Sequence, residues 1–143
     1  GKYVLGSDID AGATRTSANG GSNWNSGAGF SPISSFTGLF DGFGHTISNL
    51  YQDLSSNYGG LFAYANSSAE IRNVGLLNVN VTVTSIDQNG SLAGGLSQNA
   101  EIYNSFATGN VSTSLRGGST GGFQRNFFPS LRLEADYRKD LWP

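Results

Sequence analysis

Ala69-Glu70-Ile71-Arg72-Asn73 returns as Ala100-Glu101-Ile102-Tyr103-Asn104, and the closing triplet Ile-x-Asn stands once earlier, as Ile47-Ser48-Asn49. Gly-Gly-Leu steps lie upstream of the later two, at Gly59-Gly60-Leu61 and Gly94-Gly95-Leu96. Asn-Val pairs lie downstream, at Asn80-Val81 and Asn110-Val111. A fixed order of small, apolar and amide residues recurring every few dozen positions marks a repeat architecture. Ile47 to Ile71 is 24 residues and Ile71 to Ile102 is 31. A repeat of variable length suits a β-solenoid, whose loops absorb insertions without disturbing the stack. Three short strands and their turns fill one coil of roughly 20–30 residues. On this reading Ile47, Ile71 and Ile102 form one interior stack. Asn49, Asn73 and Asn104 form one turn ladder, their amides hydrogen-bonded along the axis.

The neighbouring sequence supplies the strands. Leu77-Asn78-Val79-Asn80-Val81-Thr82-Val83-Thr84 alternates with period two, one face apolar and the other amide and hydroxyl. Phe36-Thr37-Gly38-Leu39-Phe40 reads as a strand ending in a turn at Asp41-Gly42. The expected fold is all-β, a right-handed parallel β-helix (β-solenoid) of about 4–5 short coils. An antiparallel sandwich also has many short strands with Gly turns, but does not by itself explain a motif recurring in register. Three regions follow: 1–35, an N-terminal region with a long loop; 36–123, the repeats; and 124–143, an atypical tail. Pro129-Ser130 could start a short C-terminal helix in that tail. The tail reads either as a cap on the open stack or as a segment foreign to the repeats.

Composition narrows the function classes. Gly is 21 of 143 residues and charged residues are 13%, against roughly 7% and 25% in ordinary domains, which fits a β-rich chain with many tight turns. The net charge is −2 with no basic patch, so no nucleic-acid partner is expected. No apolar run is long enough for membrane insertion as a helix. There is no Cys, hence no disulfide or thiolate metal site, and no Met or hydrophobic leader, so the chain is read as a processed product or an internal piece.

Phe36-x-Gly38-x-Phe40-Asp41-Gly42-x-Gly44-His45-x-Ile47-x-Asn49-Leu50, then Gly60-Leu61-Phe62, Ala69-x-Ile71-x-Asn73-Val74, Gly94-Gly95-Leu96 and Ile102-x-Asn104-Ser105-Phe106-Ala107-Thr108-Gly109-Asn110-Val111, resembles the GLUG-repeat region of bacterial surface proteins. Such regions occur in filamentous-haemagglutinin-like adhesins and IgA-peptidase-type precursors. The resemblance spans about Tyr3 to Phe123. It implies a secreted or cell-surface location, a β-helical stalk and no catalysis. The tail after Phe123 departs from it, since another Ile-x-Asn coil would be expected there.

Candidate chemistry is thin. His45 is the lone histidine and reads as a turn residue satisfying backbone groups. Asp8 and Asp10 share one face and read as a solvated edge, too few oxygens for a calcium site. Basic residues in the body, Lys2, Arg15, Arg72 and Arg116, do not fall at equivalent positions, as a polysaccharide lyase or hydrolase on a β-helix would require. Asn66, Asn80, Asn89 and Asn110 match the N-x-[ST] pattern, and turn geometry is their expected role. The best ligand contacts are the aromatics Trp24, Tyr51, Tyr58 and Tyr103, which can stack on sugars or anchor a partner; Trp24 reads equally as a lid. The expected function is a non-catalytic structural and adhesive segment, with no cofactor, no catalytic residue and no metal. Its partners would be host glycans or surface proteins, with end-to-end self-association as a further expectation. A carbohydrate-active β-helix enzyme and a self-assembling fibre subunit are the alternatives.

Overall fold

The computed structural model describes residues 1–55, 58–84 and 88–113. Among these the chain is all-β, with three 3-10 turns (Gly12–Thr14, Ser17–Asn19, Trp24–Gly27) and no α-helix. The strands are β1 (Lys2–Val4), β2 (Ile9–Asp10), β3 (Leu39–Asp41), β4 (Thr46–Ser48), β5 (Tyr51–Leu54), β6 (Tyr58–Gly59), β7 (Phe62–Ala65), β8 (Glu70–Arg72), β9 (Gly75–Val83), β10 (Gln88–Asn89), β11 (Ala93–Leu96), β12 (Glu101–Tyr103) and β13 (Phe106–Thr113). The tail 124–143, its helix at Ser130 and Gly121-Gly122-Phe123 lie outside the described residues.

All pairings between these strands are parallel, which removes the antiparallel sandwich. One sheet has the order β1-β3-β8-β12, a second β13-β9-β4-β2 with β5 also on β9, and two short sheets pair β10 with β6 and β11 with β7. Ile33 and Phe36 extend the β7 sheet by parallel bridges to Phe62 and Ala65. The chain thus visits the same sheets in the same order on successive passes. Leu39 pairs with Glu70, 31 residues on, and Thr46 with Gly75, 29 residues on. Between β1 and β3 the step is 37, from Lys2 to Leu39, because the first pass carries the long loop. Residues before 36 already occupy the sheets that later residues continue.

The single Ile stack is corrected to two. Tyr3, Phe40, Ile71 and Ile102 align in one sheet. Ile47 aligns in the other with Ile9, Leu76 and Ala107. The reason is local: Ile-x-Asn marks a kind of corner, a buried apolar residue, an x position, then an Asn that turns the chain. Two different corners of each pass use it, and Leu76-Leu77-Asn78 is the true counterpart of Ile47-Ser48-Asn49. The Gly-Gly-Leu steps are not equivalent either, since Gly95 and Leu96 pair with Tyr64 and Ala65. The turn after β3 also moves: Asp41 belongs to the strand, and Phe43 and Gly44 take positive φ of 54° and 83°.

The Asn ladder is likewise two ladders. Asn49, Asn73, Asn78 and Asn104 have φ of 63°, 57°, 54° and 50°. This left-handed region costs most L-residues about 1–2 kcal/mol, and Asn tolerates it best after Gly. At one corner Asn104 Nδ2 donates to Asn73 Oδ1 at 2.5 Å, and Asn73 Nδ2 to Asp41 Oδ1 at 2.9 Å. At the other, Asn78 Nδ2 donates to Asn49 Oδ1 and Asn49 Nδ2 to Asp10 Oδ1, each at 2.9 Å. Both ladders start on a carboxylate, which only accepts. The same carboxylate oxygen takes the backbone N–H two residues on, of Gly12 or Phe43, at 2.9 Å.

The core lies between the sheets. Phe62 is fully buried, with ring centroids 4.8 Å from Phe36 and 5.3 Å edge-on from Phe40. Leu50, Leu61, Ile71, Val74, Leu76, Leu92 and Ile102 fill the rest. The side-chain amides of Asn89 and Gln52 are also buried; Gln52 donates from Nε2 to the Gly60 carbonyl at 2.7 Å and accepts its N–H on Oε1 at 2.8 Å. This closes the corner at Gly60, whose own amide and carbonyl would otherwise be buried unpaired.

The ladders give a graded test. Asn73→Ala loses the tolerant residue, leaves Asn104 Nδ2 without its acceptor and removes one donor from Asp41 Oδ1, a cost of about 3 kcal/mol. Asn73→Gly keeps the backbone conformation and should lose roughly half of that. Urea unfolding of the two variants is expected to rank them in that order; equal, negligible losses would mean the corner amides carry no stability.

Candidate ligand groove

Asn78 turns the middle of β9, and from there the strand alternates. Val79, Val81 and Val83 are buried, while Asn78 and Asn80 are exposed. The register places Tyr51, Asn80 and Asn110 side by side on the outer face of β5, β9 and β13. Asp53, Thr82 and Ser112 form the next outward row, with the two hydroxyls 3.3 Å apart. Asn80 and Asn110 are therefore strand residues, not turn formers. The surface narrows at Gly109, where β13 approaches closely. There φ is 125°, and a Cβ would sit 2.2 Å from the Val79 carbonyl oxygen.

The long loop of the first pass forms a wall beside this face. Buried Thr14 fastens it: the hydroxyl donates to the Ala11 carbonyl at 2.6 Å and accepts the Tyr51 N–H at 3.0 Å. Backbone bonds reinforce the attachment, from Ala11 N–H to Ser48 O at 2.7 Å and from Phe30 N–H to Tyr51 O at 2.9 Å. Between wall and face runs a groove of about 520 Å³, with Arg15 and Asn19 on the wall and Tyr51, Asn78, Asn80 and Asn110 on the floor. That volume is in the range of small-molecule sites, and the lining is chiefly amide and hydroxyl.

Its electrostatics are asymmetric. Arg15 Nη2 donates to Asn49 Oδ1 at 3.2 Å, and among the described residues it has no carboxylate partner. Asp10, nearby, is already engaged: bonds from Asn49 and the Gly12 N–H, and more weakly the Arg15 charge, hold its carboxyl below the usual value. Burial, then the negative charge of Asp53, pushes the Tyr51 phenol up, so it stays a neutral hydroxyl.

Of the four aromatics named from sequence, only Tyr51 lines this groove. Trp24 is about half exposed and borders a separate apolar cavity of about 320 Å³ with Leu5, Ile9, Phe30, Ile33 and Leu61. Tyr58 packs edge-on against Tyr64 at 5.9 Å. Tyr103 is committed to a polar cluster, accepting from Arg72 Nη1 at 3.0 Å and donating to Glu70. Arg72 also binds Asp41 at 2.8 Å and Glu70 at 2.7 Å. Among the described residues the His45 ring bonds to no backbone group; its Nδ1 lies 3.1 Å from Asp8, which also accepts the Thr46 N–H. Asp8 and Asp10 are thus bonded to the next pass rather than merely solvated. Arg15, Asn19 and Asn78 had no sequence signal as site residues. Asn80 and Asn110 stood out only as Asn-Val repeat landmarks and N-x-[ST] matches, with turn geometry as their expected role.

No family model matches the chain, and no solved structure matches it. A stretch of 113 residues, 78% of the chain, is 40% identical to Halomucin from Haloquadratum walsbyi (strain DSM 16790 / HBSQ001) and spans 1% of that protein's length. Among the described residues no helix is long and apolar enough to cross a membrane.

The ladder carboxylates predict acid sensitivity. Burial alone would raise the Asp41 carboxyl, but donation from Asn73, the Phe43 N–H and Arg72 outweighs it, leaving it lowered. A lowered folded value stabilises the fold above the unfolded pKa, near 3.9, and that contribution is lost as pH falls through the folded value. The melting temperature is expected to fall steeply below about pH 4 and less steeply in Asp41→Asn; identical slopes in the two proteins would remove Asp41 from the acid response.

Proposed function

We propose that this chain is a non-catalytic segment of a secreted or cell-surface protein, a right-handed parallel β-helix that extends the protein and presents the groove and its loops to saccharide or protein partners. The single observation that carries this is the parallel register repeated at 29 to 31 residues, with amide ladders running along the stack. An arrangement in which each pass pairs only with its neighbours can be lengthened without a new core, which suits a stalk. The GLUG-repeat resemblance points the same way, and the similarity to a protein named Halomucin supports a surface location. The use made of charge suits a structural role: Arg72 bonds to both Glu70 and Asp41, and Asp8 bonds to His45.

End-to-end association is a second reading, favoured by β1 and β2, where Tyr3, Val4 and Ile9 expose 56%, 60% and 43% of their surface. An unpaired strand edge with apolar side chains is a template for a further strand. Concentration-dependent growth in sedimentation velocity supports it, and a monomer at all concentrations removes it.

Antibody raised against this segment is expected to label intact cells that express the parent gene. Labelling only after lysis contradicts the surface reading. Incubation of the protein with a panel of acidic and neutral polysaccharides is expected to release no shorter products; turnover would favour the enzyme instead.

A further inference from the structure

We propose that the groove between the first-pass loop and the β5-β9-β13 face binds a carboxylated pyranose, with Arg15 reading the carboxylate and the amide row reading ring hydroxyls. This rests on the reading of the segment as a surface presented to saccharides, and sharpens it to a ligand class.

The lining rejects other classes. An apolar ligand would strand the amides of Asn80 and Asn110, which face the groove. A nucleic acid needs many cations to offset its phosphates, and among the described residues Arg15 is the one cationic residue on this lining. A sugar fits what remains. Asn side chains carry both donors and acceptors, matching hydroxyls that are themselves both. Tyr51 contributes an aromatic edge and a neutral hydroxyl, the mixture of apolar body and polar tip that favours saccharide contact.

The preference for an acidic sugar comes from the charge layout. A guanidinium has five N–H donors in a planar fork, matched to a carboxylate in bidentate geometry. Arg15 spends one of them on Asn49 Oδ1 at 3.2 Å. That bond orients the head group, because Asn49 is itself fixed by Asp10 and Asn78 in the corner ladder. The negative charges nearby are Asp10, already taken by Asn49 and Gly12, and Asp53, one outward row beyond Tyr51. Asp53 disfavours an anion at its end. The ligand's carboxylate therefore lies toward Arg15 and its neutral hydroxyls toward Tyr51 and Asn110.

Isothermal titration of the whole chain at low salt with digalacturonate, its methyl ester and neutral digalactose tests this. The acid is expected to bind about tenfold or more tightly than the ester, the worth of one charge-assisted contact. Arg15→Gln should bring the acid down to the level of the ester and leave the ester unchanged. Arg15→Lys should recover part of the preference, since it keeps charge but loses the fork. Asn80→Ala should weaken acid and ester alike. Equal binding of acid and ester overturns the acidic ligand and leaves the saccharide-facing surface standing. No binding of any of the three overturns both. Chemical-shift mapping guards against misfolded variants: shifts in the unmodified protein that spare Asn80, Asn110 and Tyr51 would likewise overturn the site.

Discussion

Four corner residues held at positive φ govern this molecule. Asn73 and Asn104 turn the chain from the sheet of β8 and β12 into that of β9 and β13, while Asn49 and Asn78 bend it within the latter sheet, between β4 and β5 and in the middle of β9, and each does so in a conformation most residues resist. An isolated Asn in that conformation is tolerated and no more. Stacked, each amide donates to the pass before it, and Asn49 and Asn73 accept from the pass after. The backbone requirement and the side-chain bond thus select the same residue at the same place. That agreement between local preference and long-range contact is what makes a sequence specify one arrangement.

The ladders also have direction. Amides donate toward the N-terminal side, so each ladder must begin on a group that only accepts, and Asp10 and Asp41 fill that role. Their carboxylates additionally turn the following backbone through the N–H of Gly12 and Phe43. The Asp10 ladder runs beside the groove. Asn49, its second rung, orients Arg15, and Asn78, its third, sets which residues of β9 face outward. The groove is therefore a consequence of the same corner that holds the stack together.

Much of this was legible in the sequence. The repeat, the all-β class and the alternating face of Leu77 to Thr84 followed from periodicity alone. What misled was treating Ile-x-Asn as a marker of position in the repeat, when it marks a corner and each pass has two. Leu76-Leu77-Asn78 serves the same purpose with Leu in place of Ile, so a search on the triplet passes over it and instead aligns Ile47 with the wrong sheet. The groove was half visible: Tyr51 stood out as an aromatic beside a loop, but Arg15 did not. Its position depends on Thr14 binding the backbone of Tyr51, 37 residues away, and contacts at such separation leave no local pattern. Tyr103 shows the converse, an aromatic that looked free at the x of its triplet and is held by Arg72 and Glu70.

Hydrogen exchange of the side-chain amides, resolved by NMR, tests the central claim most directly. The Nδ2 protons of Asn49, Asn73, Asn78 and Asn104 lie in ladder bonds, whereas Asn80 and Asn110 face the groove on exposed positions. Slow exchange of the first four and fast exchange of the other two is the result this account predicts. Uniformly fast exchange across all six would contradict it, because the corners would then be held by something other than the amides that occupy them.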